Sequence, residues 1–239
     1  MSPAQTLDDI LSNGIHIDLH RAEQCFALRT VIAEHAEGIN GASFGNLFGN
    51  LQQILYQFAV LSVAKVFERQ GSQYPLRSIP AALAHMNEYA ADLAIWNPHD
   101  IIKGLVTFGH IEGELNRLSH AELTQTLCAE YNRRLPQADK SATDEPSKTL
   151  YAIKTTRDKF ISHNEAINLD NLPEVNFEEV TNLIQFALEF LRTIGRGYLT
   201  ITYSGTVGEF LKTTDAAAAS RGLERLLNTL RISRETGTL

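Results

Sequence analysis

Apolar residues recur at helical spacing through most of this chain, while runs that alternate apolar and polar residues are almost absent. That period limits the chain to stacked helices, because a helix with one apolar stripe has to bury it against another helix. The expected fold class is therefore all-α, a helical bundle. With 239 residues and 44% hydrophobic composition, the chain is long enough to enclose a substantial core. The expected division is a bundle over residues 1–200 and a C-terminal extension over 201–239 packed on it.

The periodicity predicts a first helix over Thr6 to His35, with acidic residues in its opening turn and glycines 38 and 41 at its end. A second is predicted from Ser43 to Arg69. Leu47, Leu51, Ile54, Leu55, Phe58, Leu61 and Val66 form its stripe, which reads as core in the back half. Gly41, Gly45 and Gly49, four residues apart, would allow a close backbone approach, or equally mark a frayed helix start.

After a turn at Gly71 to Pro75, Ser78-Ile79-Pro80 reads as an N-cap with proline in the first turn, opening a helix to about Asp92. Trp96-Asn97-Pro98 is a break. Ile101 to Arg134 carries weaker, glycine-interrupted helical patterning, and Pro136 to Ser147 reads as an exposed loop. A helix from Pro146 or Ser147 to about His163 or Asn164 follows, then a polar loop over Asn168 to Pro173 and a strongly amphipathic helix from an Asn176 cap to about Arg196. Tyr198 to Tyr203 is the one β-like run, and could equally prolong the preceding helix. A last helix is expected over Asp215 to Ile232.

Several function classes are disfavoured. The net charge of −7 argues against a general nucleic-acid coat, although positive charge is concentrated at Lys148, Lys154, Arg157 and Lys159. Cys25 and Cys128 lie far apart without CxxC spacing, which suggests neither a disulfide framework nor a zinc ribbon. They read as buried structural thiols in a reducing compartment. The stretch from Leu55 to Phe67 is too short to span a bilayer and no secretory signal is readable, so a soluble protein is expected. No P-loop, dinucleotide fingerprint or Gly-x-Ser-x-Gly elbow occurs. His16, His20 and Glu23 have metal-compatible spacing, as do His110 and Glu114, but no matching third ligand helix is evident.

The segment Arg157-Asp158-Lys159-Phe160-Ile161-Ser162-His163-Asn164 sets an arginine and a histidine five intervening residues apart, at a helix end that runs into a polar loop. Fourteen arginines and eight histidines should produce roughly one such pair by chance. A second pair, Arg29 and His35, does occur, inside an early helix and without that context. The first pair has a polar residue after the arginine, an asparagine after the histidine, and a long amphipathic helix beyond. In this context the segment resembles the HEPN signature. Phe48 to Leu51, Val63-Ala64-Lys65-Val66-Phe67-Glu68 and Tyr74-Pro75-Leu76-Arg77-Ser78-Ile79-Pro80 are similar to the second-helix region of the abortive-infection, AbiU-like group of HEPN proteins.

The resemblance implies a cytoplasmic, metal-independent endoribonuclease with no cofactor, serving bacterial stress response or phage defence, with RNA as substrate and an antitoxin protein as possible partner. In that reading Arg157 and His163 are catalytic, with Asp158 orienting either side chain. Lys154, Lys159 and Asn164 would bind substrate. Cleavage by the RNA's own 2′-hydroxyl needs a proton acceptor, a proton donor and positive charge at the phosphorane, all of which imidazole and guanidinium supply. Residues six apart on an α-helix lie about 120° from each other, so one helix assembles this site badly. The resemblance supplies the remedy, a homodimer that joins the motifs of two protomers in one cleft. The alternatives are a noncatalytic HEPN-like RNA- or nucleotide-binding or dimerisation module, and an Arg157 that simply pairs with Asp144, Glu145 or another acid.

Overall fold

A computed structural model describes residues 1–69, 75–162, 175, 177–203 and 214–232. Among them the chain is mostly helical and without a strand, as the periodicity predicts. The first helix, α1 (Pro3–Ile10), starts earlier than Thr6 because Ser2 and Gln5 form a reciprocal capping box ahead of Pro3. A π-helical turn over Leu11–Ile15 joins α1 to α2 (His16–Glu34). Gly14 sits in that turn against Arg77; a Cβ at Gly14 would come within 2.1 Å of the Arg77 Cβ, so only a residue without a side chain fits.

The early helices end at His35, followed by the short α3 (Ala36–Gly41) and a left-handed Ser43, φ 65°. The chain then reverses into α4 (Gly45–Val66), which packs along α2. The back half of its apolar stripe, expected to be core, is only partly buried. Phe48, Leu55, Ala59, Val60 and Val63 are buried, but Leu47, Ile54 and Phe58 are 63%, 59% and 46% exposed. The helix is apolar on more than one face, and no charged residue occurs between Glu37 and Lys65.

Beyond Ser78, which caps it through Ala81 N–H, runs α5 (Ile79–Glu88). The weakly patterned stretch is three helices: α6 (Pro98–Thr107), the single turn α7 (Glu112–Leu115) and α8 (His120–Arg134). Gly109, φ 97°, makes the turn after α6, and a Ser119–Glu122 capping box opens α8. Next come α9 (Glu145–Thr156), capped by Asp144, and α10 (Phe177–Ile194).

The β-like run is not a strand. A π-helical turn prolongs α10 over Gly195–Leu199, Thr200 turns left-handed at φ 56°, and Ile201 N–H returns to the Gly195 carbonyl. Tertiary packing overrides the branched residues' β preference here. Tyr198 and Tyr203 are buried and hydrogen-bond Thr124 and Ser12 at 2.7 and 2.8 Å. The last helix, α11 (Thr214–Thr229), lies along α2, and Leu227 and Ile232 join Cys25, Ile32 and Phe48 in a core cluster.

The larger cluster holds most of the other helices together around Phe67, Tyr131, Phe186 and Phe190, whose rings meet at 5.1 to 6.2 Å. No helix among the described residues is long and apolar enough to cross a membrane.

Candidate active site

The segment carrying the arginine leaves α geometry where the motif begins. Asp144 caps α9 by accepting from Ser147 N–H at 2.9 Å, and the helix is regular only to Thr156. Residues Arg157–Ser162 form a wider π-helical turn, a geometry frequent at functional sites. The expected single α-helix to His163 is thus corrected. His163 and Asn164, called as catalytic and substrate-binding, lie outside the described residues.

Arg157 faces back toward the end of α4. Its Nε–H donates to Asp158 Oδ1 at 2.6 Å, and Nη1 is bound to Glu68 Oε2. Burial disfavours the charge, but the bonds to Asp158 and Glu68 outweigh it and raise the guanidinium pKa. Nη2, with its two N–H donors, meets no acceptor among the described residues. The side chain is 20% exposed.

Lys154 lies one turn earlier. Its Nζ donates to the Phe67 carbonyl at 3.2 Å and sits 3.7 Å from Glu68 Oε1. Burial lowers its pKa below the usual lysine range, Glu68 opposes that fall, and the positive charges of Arg157 and Arg69 add to it. These contacts turn Lys154 inward, whereas Lys159, also called as substrate-binding, is exposed. Asp158 lies beside Arg157 and accepts its Nε–H.

The structure therefore brings Arg157, Asp158 and Lys154 together around a residue absent from the expected set, Glu68. Its signal was present in the Lys65-Val66-Phe67-Glu68 segment, but the 89-residue separation from Arg157 hides the pairing. The acids considered as alternative partners are engaged elsewhere, Asp144 as a cap and Glu145 with Lys148 at 2.6 Å.

These residues border a cleft of about 560 Å3 between the end of α4, the start of the loop after α8, and α9. Arg69, Lys140, Lys154 and Arg157 line it against Glu68, Asp139 and Asp158, so its balance is positive within an acidic chain. A guanidinium with spare donors at the rim of a basic cleft is suited to hold a phosphate diester.

The competing constellations resolve differently. His35 is buried and its Nδ1–H donates to the Val31 carbonyl at 2.8 Å, a structural role. Arg29 lies 5.3 Å over the Tyr56 ring. His16 packs against Tyr203 at 5.2 Å while His20 sits 3.9 Å from Glu23. His110 lies 3.7 Å from Glu130 rather than meeting Glu114. Among the described residues no three His, Cys, Asp or Glu side chains converge as metal ligands. Burial pushes the Cys25 and Cys128 thiols up to about 11 and about 12, which holds them protonated and unreactive.

A helical bundle without a strand among the described residues, with the arginine turn at one helix end, is consistent with a HEPN-like fold. The chain belongs to the AbiU2 family of HEPN proteins, related to abortive infection: the family model matches residues 4–231, from α1 to just past α11. Comparison with curated proteins and with solved structures gives no match.

Proposed function

We propose that this protein is a metal-independent endoribonuclease of a bacterial defence or toxin–antitoxin system, acting in the cytoplasm as a homodimer. The observation that carries the reading is Arg157, held by two carboxylates at the rim of a basic cleft with no acceptor for its Nη2 donors among the described residues. In the proposed reaction the RNA 2′-hydroxyl attacks the adjacent phosphorus and the bond to the 5′-oxygen breaks. A 2′,3′-cyclic phosphate and a 5′-hydroxyl end result. His163 takes the 2′-hydroxyl proton and, once protonated, gives it to the leaving 5′-oxygen. Arg157 holds the phosphate oxygens as charge builds on them, Asp158 keeps the guanidinium oriented, and Lys159 and Asn164 guide the strand.

Pairing of two chains is supported by α4. A helix without charge from Gly45 to Ala64 that exposes Leu47, Ile54 and Phe58 is costly to leave in water, and these positions fall on a stripe spaced by three and four residues with Phe44, Leu51 and Leu61. Two acidic chains can meet along a charge-free face without mutual repulsion.

The ion pair with Glu68 also favours a second reading, a noncatalytic RNA-binding or dimerisation module, since Arg157 is partly neutralised before any RNA arrives. The two readings separate when purified protein is incubated with RNA in excess chelator. The nuclease reading predicts cleavage by the natural protein and none by Arg157→Ala or His163→Ala. Equal cleavage by all three removes it, and RNA retention without cleavage selects the module.

A further inference from the structure

A second cleft, of about 450 Å3, opens between α6, α8 and α10. It is separated from the Arg157 cleft by the row of rings Tyr131, Phe186 and Phe67, the first lining one cleft and the last the other. Its size suits a small molecule. Four cations from three helices line it: Lys103, Arg134, Arg192 and Arg196, facing the acids Asp100 and Glu189.

The bonding of these groups is uneven. Arg134 is engaged, its Nε–H donating to Glu130 Oε1 at 2.7 Å and its guanidinium lying 4.4 Å over the Phe108 ring. Asp100 accepts from the Asn97 amide at 2.8 Å. Lys103, Arg192 and Arg196, by contrast, make no hydrogen bond or ion pair with any described residue. Arg192 and Arg196 are one helical turn apart, where like charges repel. Arg192 is half-buried, and burial first and the neighbouring Arg196 second lower its pKa, with Glu189 opposing. Two unpaired guanidinium forks, one of them drawn from water, with an ammonium on the facing helix, are matched by a compact dianion.

The rest of the wall mixes the Phe108 ring with the Thr107 and Thr193 side chains. The buried Tyr131 donates its hydroxyl to Thr193 Oγ1 at 3.3 Å, which leaves the Thr193 hydroxyl to donate to a polyol. Gly104 keeps the floor clear: a Cβ there would already come within 3.2 Å of Thr193 Cγ2.

We propose that this cleft binds a phosphate monoester, with the phosphate between Arg192, Arg196 and Lys103. The monoester is either a free sugar phosphate or the 5′-phosphate end of an RNA. The inference does not rest on the nuclease reading, because none of these residues touches the Arg157 cleft.

The chain's single tryptophan reports on the site. Trp96 N–H donates to the carbonyl of Gly197, the residue after Arg196, at 2.8 Å. Ribose 5-phosphate, inorganic phosphate, ribose, and one short RNA with a 5′-phosphate or a 5′-hydroxyl are titrated against the full chain at physiological salt, by calorimetry and by Trp96 fluorescence. At least one monoester saturates and ribose does not. Arg192→Gln and Arg196→Gln each weaken binding at least about tenfold, as expected for one charge-assisted contact. Arg133→Gln, which changes a cation paired with Glu130 outside the cleft, leaves binding unchanged. Saturation by ribose 5-phosphate assigns the site to a small molecule and fits loss of binding in Gly104→Leu. Saturation only by the phosphorylated RNA assigns it to an RNA end. No saturable monoester, binding of inorganic phosphate alone, glutamine variants that bind like the natural protein, or equal weakening by Arg133→Gln overturns the proposal.

Discussion

Glu68, just beyond the end of α4, and Arg157, the first residue after α9, are bound to each other across 89 residues of sequence. The pair fixes where the motif's guanidinium sits, and Glu68 reaches Lys154 with its other oxygen. In the proposed nuclease Glu68 is a positioning residue. Replacing it by glutamine keeps the shape but loosens the guanidinium. The expected result is an RNA cleavage rate reduced about tenfold, ~1.4 kcal/mol of transition-state stabilisation, with KM nearly unchanged. A matching rise in KM at constant kcat would instead mark Glu68 as part of substrate binding.

The exposed stripe of α4 makes a second prediction. Phe58→Glu places a charge in the middle of the uncharged face. Sedimentation equilibrium should give twice the 26.6 kDa chain mass for the natural protein and the single mass for the variant, with unchanged helicity. A variant that stays dimeric moves the interface elsewhere.

Much of this was legible from periodicity, though not the role of each face. The 3.6-residue repeat predicts α4, but it cannot distinguish a face buried in the chain's own core from one that another chain could cover. That is why Phe58, in the back half of the stripe, reads as core although it is exposed. The motif at Arg157 was legible because its residues are adjacent in sequence. Glu68 was not, because its role depends on how α4 and α9 meet. The run from Tyr198 to Tyr203 misleads for a related reason: side-chain preference favours a strand, while bonds from Tyr198 to Thr124 and from Tyr203 to Ser12 tie it into a bundle.

Stability should fall in acid through Glu130. Bonds to Arg133 and Arg134 hold its carboxyl near 2, against an ordinary 4.5, with Arg133 first. A carboxyl with a depressed folded-state pKa stabilises the fold above its unfolded value, and the contribution disappears as the pH drops from about 4.5 toward about 2. Discounted for solvent screening, it is on the order of 1–2 kcal/mol. Urea unfolding should show a shallower acid decline in Glu130→Gln than in the natural protein; identical slopes would assign the decline to other carboxylates.

The capping box that opens α8 is testable in isolation. Ser119 accepts from Glu122 N–H at 3.3 Å, and Ser119→Ala should lower unfolding free energy by about 1 kcal/mol. A thermal melt with no change would mean that packing of α8 alone sets its start.

The central claim is that Arg157 and His163 act together in a cleft shared by two chains. The most direct measurement pairs the two inactive variants, co-expressing differently tagged Arg157→Ala and His163→Ala chains, isolating the heterodimer, and assaying RNA cleavage in chelator. A shared cleft retains one arginine and one histidine, so activity should return to a measurable fraction of the natural rate while both mutant homodimers stay silent. A heterodimer as silent as the homodimers, beside an active natural protein, would contradict the shared site, and an inactive natural protein would contradict the nuclease itself.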